Sequence, residues 1–275
     1  MTDLVYDIGM HEGEDSKFYL LKGFRVVAVE ADPLLCEIAA DRLREFTETG
    51  QLIIVNRAIA AEPGQIVFYR SALSGWGTVD RNQNADNEAR GVGSEPVTVE
   101  GVTLAELVGQ HGEPWYMKID IESMDRTAVQ SLGTIALRPR YISMETSFAR
   151  NPTFAAAQGD LEALASLGYD RFKIVDQQRV PQQVPPNPPA VGKYVPYRFV
   201  DGESGLFGDE APGDWLTIDQ ALAFFRHLMR KKWLALRLHP RLRLYLLYCS
   251  IIRRLTGRYP SLGWYDIHAR HSTVG

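Results

Sequence analysis

Lys118, Asp120 and Glu122 stand at alternate positions in the run Lys118-Ile119-Asp120-Ile121-Glu122, and alternation along a strand puts all three side chains on one face. Three ionisable groups in a row on a central strand are costly to bury without mutual pairing, so an ion pair from Lys118 to Asp120 or Glu122 is the plain structural reading. The chemical reading makes this row the reacting edge of a site. Asp120 is then a general base for a hydroxyl proton, and His11 a second base that titrates near neutrality. Glu145 closes the run Ile142-Ser143-Met144-Glu145 and is a candidate to bind substrate hydroxyls. Asp120, Glu122 and Glu145 together are also a candidate oxygen set for a divalent cation that would acidify a hydroxyl, although no spacing demands a metal.

A second constellation lies near the start, in Val5-Tyr6-Asp7-Ile8-Gly9-Met10-His11-Glu12-Gly13. Glycines four apart, after a strand and before a helix, let backbone approach a ligand closely. A dinucleotide site would want a bare helix N-terminus for its pyrophosphate, whereas Glu12, Glu14 and Asp15 crowd this one and would repel a phosphate. A phosphate-free ligand of net positive charge fits better. S-adenosylmethionine, with its sulfonium and ammonium groups, meets that description, and Asp7 is placed to attract the cationic amino acid end, directly or through water. About twenty residues beyond the glycines, Glu30 ends the run Val26-Val27-Ala28-Val29-Glu30, where an acid can take both ribose hydroxyls, with Ala31 beside it. Asn56, Ala58 and Ile59 follow the third strand and are candidates to flank an adenine. The plain alternative is that the glycines only shape a turn and Glu30 is a solvated strand end.

These residues need a scaffold that brings strand ends together. Apolar runs at Leu4 to Ile8, Phe24 to Val29, Leu52 to Val55, Ile66 to Tyr69, Trp115 to Ile121, Tyr141 to Glu145 and Arg171 to Val175 read as strands. Helical patterns fall at Ser16 to Lys22, Leu34 to Phe46, Leu104 to Gln110 and Leu161 to Leu167. The alternation predicts an α/β, Rossmann-like, doubly wound and mostly parallel sheet, with ligands beyond the carboxyl ends of the strands. Ser71 to Ser94 reads as a long polar loop carrying Trp76, an aromatic face for a cofactor or sugar ring. Residues 176–196 are Pro-rich and read as an extended loop or lid. Residues 1–200 are expected to form the ligand-binding domain and 201–275 a basic helical C-terminal extension, beginning at a helix capped by Thr217. Trp264 and His268, the latter with Asp266, are candidate substrate contacts near the end, with simple docking of a tail as the alternative.

The net charge of −4 conceals an asymmetry, because residues 220–258 hold ten Lys or Arg and no acid. That stretch is too broken by charge to span a bilayer, and a peripheral membrane contact, an anionic or lipid-linked acceptor, oligomerisation and packing against the acidic body are its possible roles. Nucleic acid is not expected, since the body is acidic and no recognition module is visible. Two cysteines, Cys36 and Cys249, make neither a disulfide framework nor a zinc site, and with no secretory signal or membrane span in view the expected address is the reduced cytoplasm.

Together, VYDIGMHEGEDS, VVAVEADP, NRAIA and KIDIE resemble the FkbM family of methyltransferases over roughly residues 4–175. The resemblance implies a class I methyltransferase fold and transfer of a methyl group from S-adenosylmethionine to a hydroxyl of a sugar, glycolipid or secondary metabolite. KIDIE corresponds to the family's K-I-D-x-E-G. Two positions depart: His11 stands where Asn is usual, and Ser123 where Gly is usual. A nicotinamide-dependent oxidoreductase and a non-catalytic binding scaffold are the rival expectations.

Overall fold

The structure is a computed structural model that describes residues 3–72, 75–148, 150–238 and 264–273. Its first half is built by short apolar strands alternating with helices: β1 (Leu4–Ile8), α1 (Glu14–Leu21), β2 (Arg25–Glu30), α2 (Pro33–Arg42), α3 (Arg44–Glu48) and β3 (Leu52–Asn56). The helix expected over Leu34 to Phe46 divides at Leu43, which leaves the helical region at φ −112°. Asp32 starts α2 by accepting from the Leu34 N–H, with Pro33 supplying a preset φ at the first helical position.

A small sheet follows. β4 (Ala58–Ile59), β5 (Gly64–Ser71) and β6 (Ser94–Val102) pair in the order β4-β6-β5. The run Ile66 to Tyr69 therefore belongs to a hairpin outside the main sheet, antiparallel to β6. Within the stretch expected to be a polar loop lies α4 (Arg81–Ala89), capped by Asp80, with Asn84 and Asn87 buried in place of an apolar stripe. The chain then continues through α5 (Leu104–His111), β7 (Tyr116–Ile119), α6 (Asp125–Ser131), β8 (Tyr141–Glu145), α7 (Phe154–Ser166), β9 (Tyr169–Asp176), α8 (Ile218–Leu238) and β10 (Tyr265–His271). Both Thr103 and Glu106 close a capping box on α5, and Thr153 caps α7, which starts earlier than the apolar pattern alone suggested.

The main sheet runs β3-β2-β1-β7-β8-β10-β9. Its strands are parallel except β10, which lies antiparallel between β8 and β9. This is the Rossmann-like, doubly wound architecture the alternation predicts. Residues 264–273 depart from a purely helical extension, because Ile267 and Ala269 alternate into the core and make a central strand. Residues 201–216 depart from it too, since they pack on the first helix: Lys22 and Glu210 form a buried ion pair at 2.9 Å.

Alternation along each strand feeds two cores. One side packs Tyr6, Ile8, Val27, Val29, Met117 and Ile119 against the α5 to α8 side. The other packs Val5, Val26, Ala28 and Tyr116 against Phe18, Tyr19 and Phe207. Residues 176–196 form a short 3-10 turn over Gln177–Gln182 and then an extended segment that docks by the Lys193 N–H onto Lys22 O. Among the described residues no helix is long and apolar enough to cross a membrane. Most of the basic stretch, Cys249 included, lies outside the described residues.

Candidate active site

At the carboxyl ends of β1, β2 and β7 opens a cavity of about 790 Å³, the position at which doubly wound sheets bind ligands. Its wall begins with the turn after β1. Gly9 has φ +84°, and its N–H and that of Met10 both donate to Val29 O, at 2.9 and 3.1 Å. The turn thus wraps onto β2 and brings Gly9 against the end of β7. His11 adopts φ +56°, a conformation that Asn, Asp and His tolerate better than most residues. Gly13, at φ +85°, is the N-cap of α1 and lies behind the wall.

Glu30 is held by this turn. One of its oxygens accepts from the His11 N–H at 2.9 Å and the other from the Asp32 N–H at 2.9 Å. A carboxylate oxygen takes two donors, so each retains an acceptor position, and Glu30 lines the cavity. Burial raises the Glu30 pKa, against the pull of those two backbone donors. Ala31, Ala58 and Ile59 line the same wall, whereas Asn56 turns away and donates to the backbone oxygens of Glu30 and Ala31.

Asp7 does not reach the ligand side. It is fully buried beneath the turn, where it accepts from Ser16 Oγ at 2.6 Å and from Lys118 Nζ at 3.3 Å. Its expected contact with a cationic ligand is replaced by this internal pairing. Glu14 and Asp15 line the cavity instead. Asp15 contacts Lys118 Nζ at 3.3 Å and accepts from Ser204 N and Oγ, tying residues 200–204 to the cavity mouth. Burial alone would lower the Lys118 ammonium, but Asp7, Asp15 and Asp120 raise it well above its usual value. Lys118 is therefore a fixed cation that also donates to Gly9 O at 3.1 Å, and it is not available as a base.

Asp120 faces the cavity with about a third of its side chain exposed, 3.8 Å from Lys118 Nζ. Beyond it the backbone turns sharply, with Glu122 at φ +47° and Ser123 at φ +74°. At the second value a side chain at position 123 is strained. Ser123→Gly is expected to raise the unfolding free energy by about 1 kcal/mol, measured by urea titration; an unchanged or lower midpoint would remove the strain argument. Glu122 and Glu145 meet across the strand ends through Arg150, which grips both. Burial pushes Glu122 up to about 8 and Glu145 up to about 7, in each case against the attraction of Arg150. Among the described residues no group of three or more His, Cys, Asp or Glu side chains is arranged to hold a metal ion. Of the set Asp120, Glu122 and Glu145, the two glutamates share the Arg150 guanidinium.

Trp76 and Trp264 both line the cavity, and the Trp76 loop is fastened beside Glu122 by Thr78 Oγ1 donating to Glu122 O at 3.1 Å. His268 is elsewhere. It is buried in β10, opposite Ser143 and Lys173, and burial followed by the neighbouring Lys173 lowers it to about 3. Its expected substrate contact is not part of this cavity. Sequence reasoning missed Asp15, taken only as a helix-start acid, and Arg150, whose loop Ser147-Phe148-Ala149-Arg150 carries no periodic signal.

No family model matches the chain, and no curated protein matches it in sequence. Solved structures do resemble its fold. A precorrin-6y C5,15-methyltransferase from Geobacter metallireducens is 13% identical, with 63% of this chain and 67% of that one covered and a TM-score of 0.35. The S-adenosylmethionine-dependent methyltransferase of Thiobacillus denitrificans, solved with S-adenosyl-L-homocysteine, is 12% identical over 98% of this chain and 85% of its own, with a TM-score of 0.38. StiE O-MT is 9% identical over 99% and 69% of the two chains, with a TM-score of 0.42.

Proposed function

We propose that the protein is an S-adenosylmethionine-dependent O-methyltransferase acting on a hydroxyl of a sugar, glycolipid or secondary metabolite, as its resemblance to the FkbM family implies. The observation that carries the reading is Glu30. A partly buried carboxylate that lines the cavity, fixed by two backbone donors with one acceptor position per oxygen left over, suits a ribose diol. Its surroundings suit the rest of the cofactor: close backbone approach at Gly9, apolar walls at Ala58 and Ile59, and the partly exposed acid Glu14 for a cationic end. The acids Glu14 and Asp15, at the start of α1, oppose the diphosphate of a nicotinamide dinucleotide.

When bound, S-adenosylmethionine supplies an electrophilic methyl group. The chain's task is to hold the acceptor oxygen in line with it and to take the hydroxyl proton. Asp120 is the partly exposed carboxylate at the edge of β7 and acts as general base. Lys118 fixes that edge as a permanent cation, linking β7 to β1 and α1 through Asp7 and Asp15. Glu122 and Glu145 orient acceptor hydroxyls, and Trp76 and Trp264 supply faces for a sugar ring or other C–H surface.

Calorimetric titration with S-adenosylmethionine and, separately, with NAD tests the cofactor. Binding of the first alone is expected, and no heat with S-adenosylmethionine would end the proposal. A labelled-methyl screen of cell extracts then seeks the acceptor. Glu30→Gln removes the charge that receives the diol and is expected to weaken S-adenosylmethionine about 10- to 100-fold, the equivalent of about 1.5–3 kcal/mol for hydrogen bonds to a charged group. Equal affinity in the folded variant would take Glu30 out of the cofactor site.

A further inference from the structure

The end of the cavity at Glu122 and Glu145 has the composition of a cation site, yet the cation in it belongs to the chain. Both carboxylates are contacted through Oε2 by the same nitrogen of Arg150, Nη2, at 2.7 Å from Glu145 and in close contact with Glu122. One nitrogen between two carboxylate oxygens occupies the place an oxygen-bound metal or a ligand ammonium would take. Asp120 stands near enough for its charge to act on both glutamates, although no three acids among the described residues are arranged as a ligand set.

The loop that delivers Arg150 is pinned. Buried Asp160 of α7 accepts from Thr146 Oγ1 at 3.0 Å, from Ser147 N at 2.7 Å and from Ser147 Oγ at 2.8 Å, and Asn151 N returns to Ser147 O at 2.8 Å. Arg150 is itself only a quarter exposed. A guanidinium held this way costs nothing further to place when a ligand arrives, whereas a free cation must be stripped of water to compete with it.

We infer that Arg150 is a built-in counter-ion that closes the Glu122–Glu145 pair to external cations, so that this end of the cavity accepts neutral hydroxyls and rejects amines and divalent metals. With the guanidinium in place, the outer lone pairs of the carboxylates remain as hydrogen-bond acceptors, which suit O–H donors, while the position between the two carboxylates is filled and one of their two negative charges is offset. The choice of hydroxyls over amines rests on the methyl-transfer reading above. The exclusion of cations does not, and it can be tested without cofactor or acceptor.

The probe is Mn²⁺, titrated without oxygen into the protein at pH 8.5, above the value to which Glu122 is pushed while Arg150 is in place, with metal binding in the variants displacing any proton that loss of Arg150 leaves on the glutamates and free metal followed by electron paramagnetic resonance. The parent protein is expected to show no saturable site. Arg150→Met should gain one, with a dissociation constant of about 0.1–1 mM, the range of weak oxygen-ligand sites, and at least about tenfold tighter than the parent. Arg150→Lys, which keeps a cation, should stay silent, and adding Glu122→Gln to Arg150→Met should abolish the gained site. Should the methionine variant not fold, Arg150→Gln removes the charge while keeping a donor toward the glutamates and is read in the same way. A folded neutral variant that binds no Mn²⁺, or a parent protein that binds it equally well, would overturn the inference. Because S-adenosylmethionine titration is a separate measurement, failure of the counter-ion role and failure of the methyltransferase reading give different results.

Discussion

Asp120→Asn is expected to lower methyl-transfer turnover about 10²- to 10⁴-fold, the contribution of a positioned general base, while leaving S-adenosylmethionine affinity unchanged. Asparagine matches aspartate in shape but cannot accept and retain the hydroxyl proton at neutral pH. Asp120 suits the role by position: just beyond the end of β7, where the strand alternation expected through Glu122 stops, it is the most exposed of the three, whereas Lys118 is buried among carboxylates and Glu122 is engaged by Arg150. The measurement is kcat with the acceptor recovered from the labelled-methyl screen, paired with a calorimetric affinity for the cofactor. Turnover within about threefold of the parent would remove Asp120 as a base, since that is barely 0.7 kcal/mol of barrier. Loss of cofactor affinity without loss of kcat would recast it as a binding residue.

Gly9→Ala carries the largest expected structural effect. A Cβ built on Gly9 lies 1.8 Å from the carbonyl oxygen of Asp120, and the residue is at φ +84°. Neither partner can yield cheaply, because both are backbone at adjoining strand ends. We expect about 3–5 kcal/mol of lost stability from the sum of left-handed strain and overpacking, together with loss of measurable cofactor binding, since relief of the clash displaces the turn that holds Glu30. Gly50→Ala is the control: φ is +74° but no atom lies within 4 Å of its Cβ, so about 1–2 kcal/mol of backbone strain and unchanged cofactor binding are expected. Urea unfolding and calorimetry report both quantities. If the two variants were destabilised equally, the clash at Asp120 would not be the cause.

The first βαβ unit was legible because its information is local. Short apolar runs, a glycine turn and Pro33 after Asp32 mark their own boundaries, and the spacing from Gly13 to Glu30 follows from the length of one helix and one strand. Elements whose residues answer to distant partners were not legible. Helix α4 buries Asn84 and Asn87, so it shows no apolar stripe. Strand β10, Tyr265-Asp266-Ile267-His268-Ala269-Arg270-His271, places polar residues on a buried face, and its pattern makes sense only once β8 and β9 flank it. Strand β6 did carry a readable alternation in Val97 and Val99, and the polar composition around it masked the signal. In the site, Glu30 could be found by spacing. Asp7 could not be told from a ligand-facing acid until its pairing with Lys118 was seen, and Arg150 acts through a loop whose position depends on Asp160, part of a different helix.

The place of β10 also bears on how the molecule comes into being. Strands β8 and β9 are synthesised in succession but are not neighbours, because β10 fills the slot between them. Until residues 265–271 emerge, β8 presents an unpaired edge and β9 has no partner in the main sheet. At about 5–20 residues per second, the delay between completing β9 and starting β10 is on the order of ten seconds, long compared with the microseconds in which hairpins form. During that interval the half with Gly9 and Glu30 can already be ordered, while the side bearing Glu145 still exposes a sticky strand edge. A nascent chain of this design is expected to lean on chaperones late in translation, when the half that carries Gly9 and Glu30 is nearly finished.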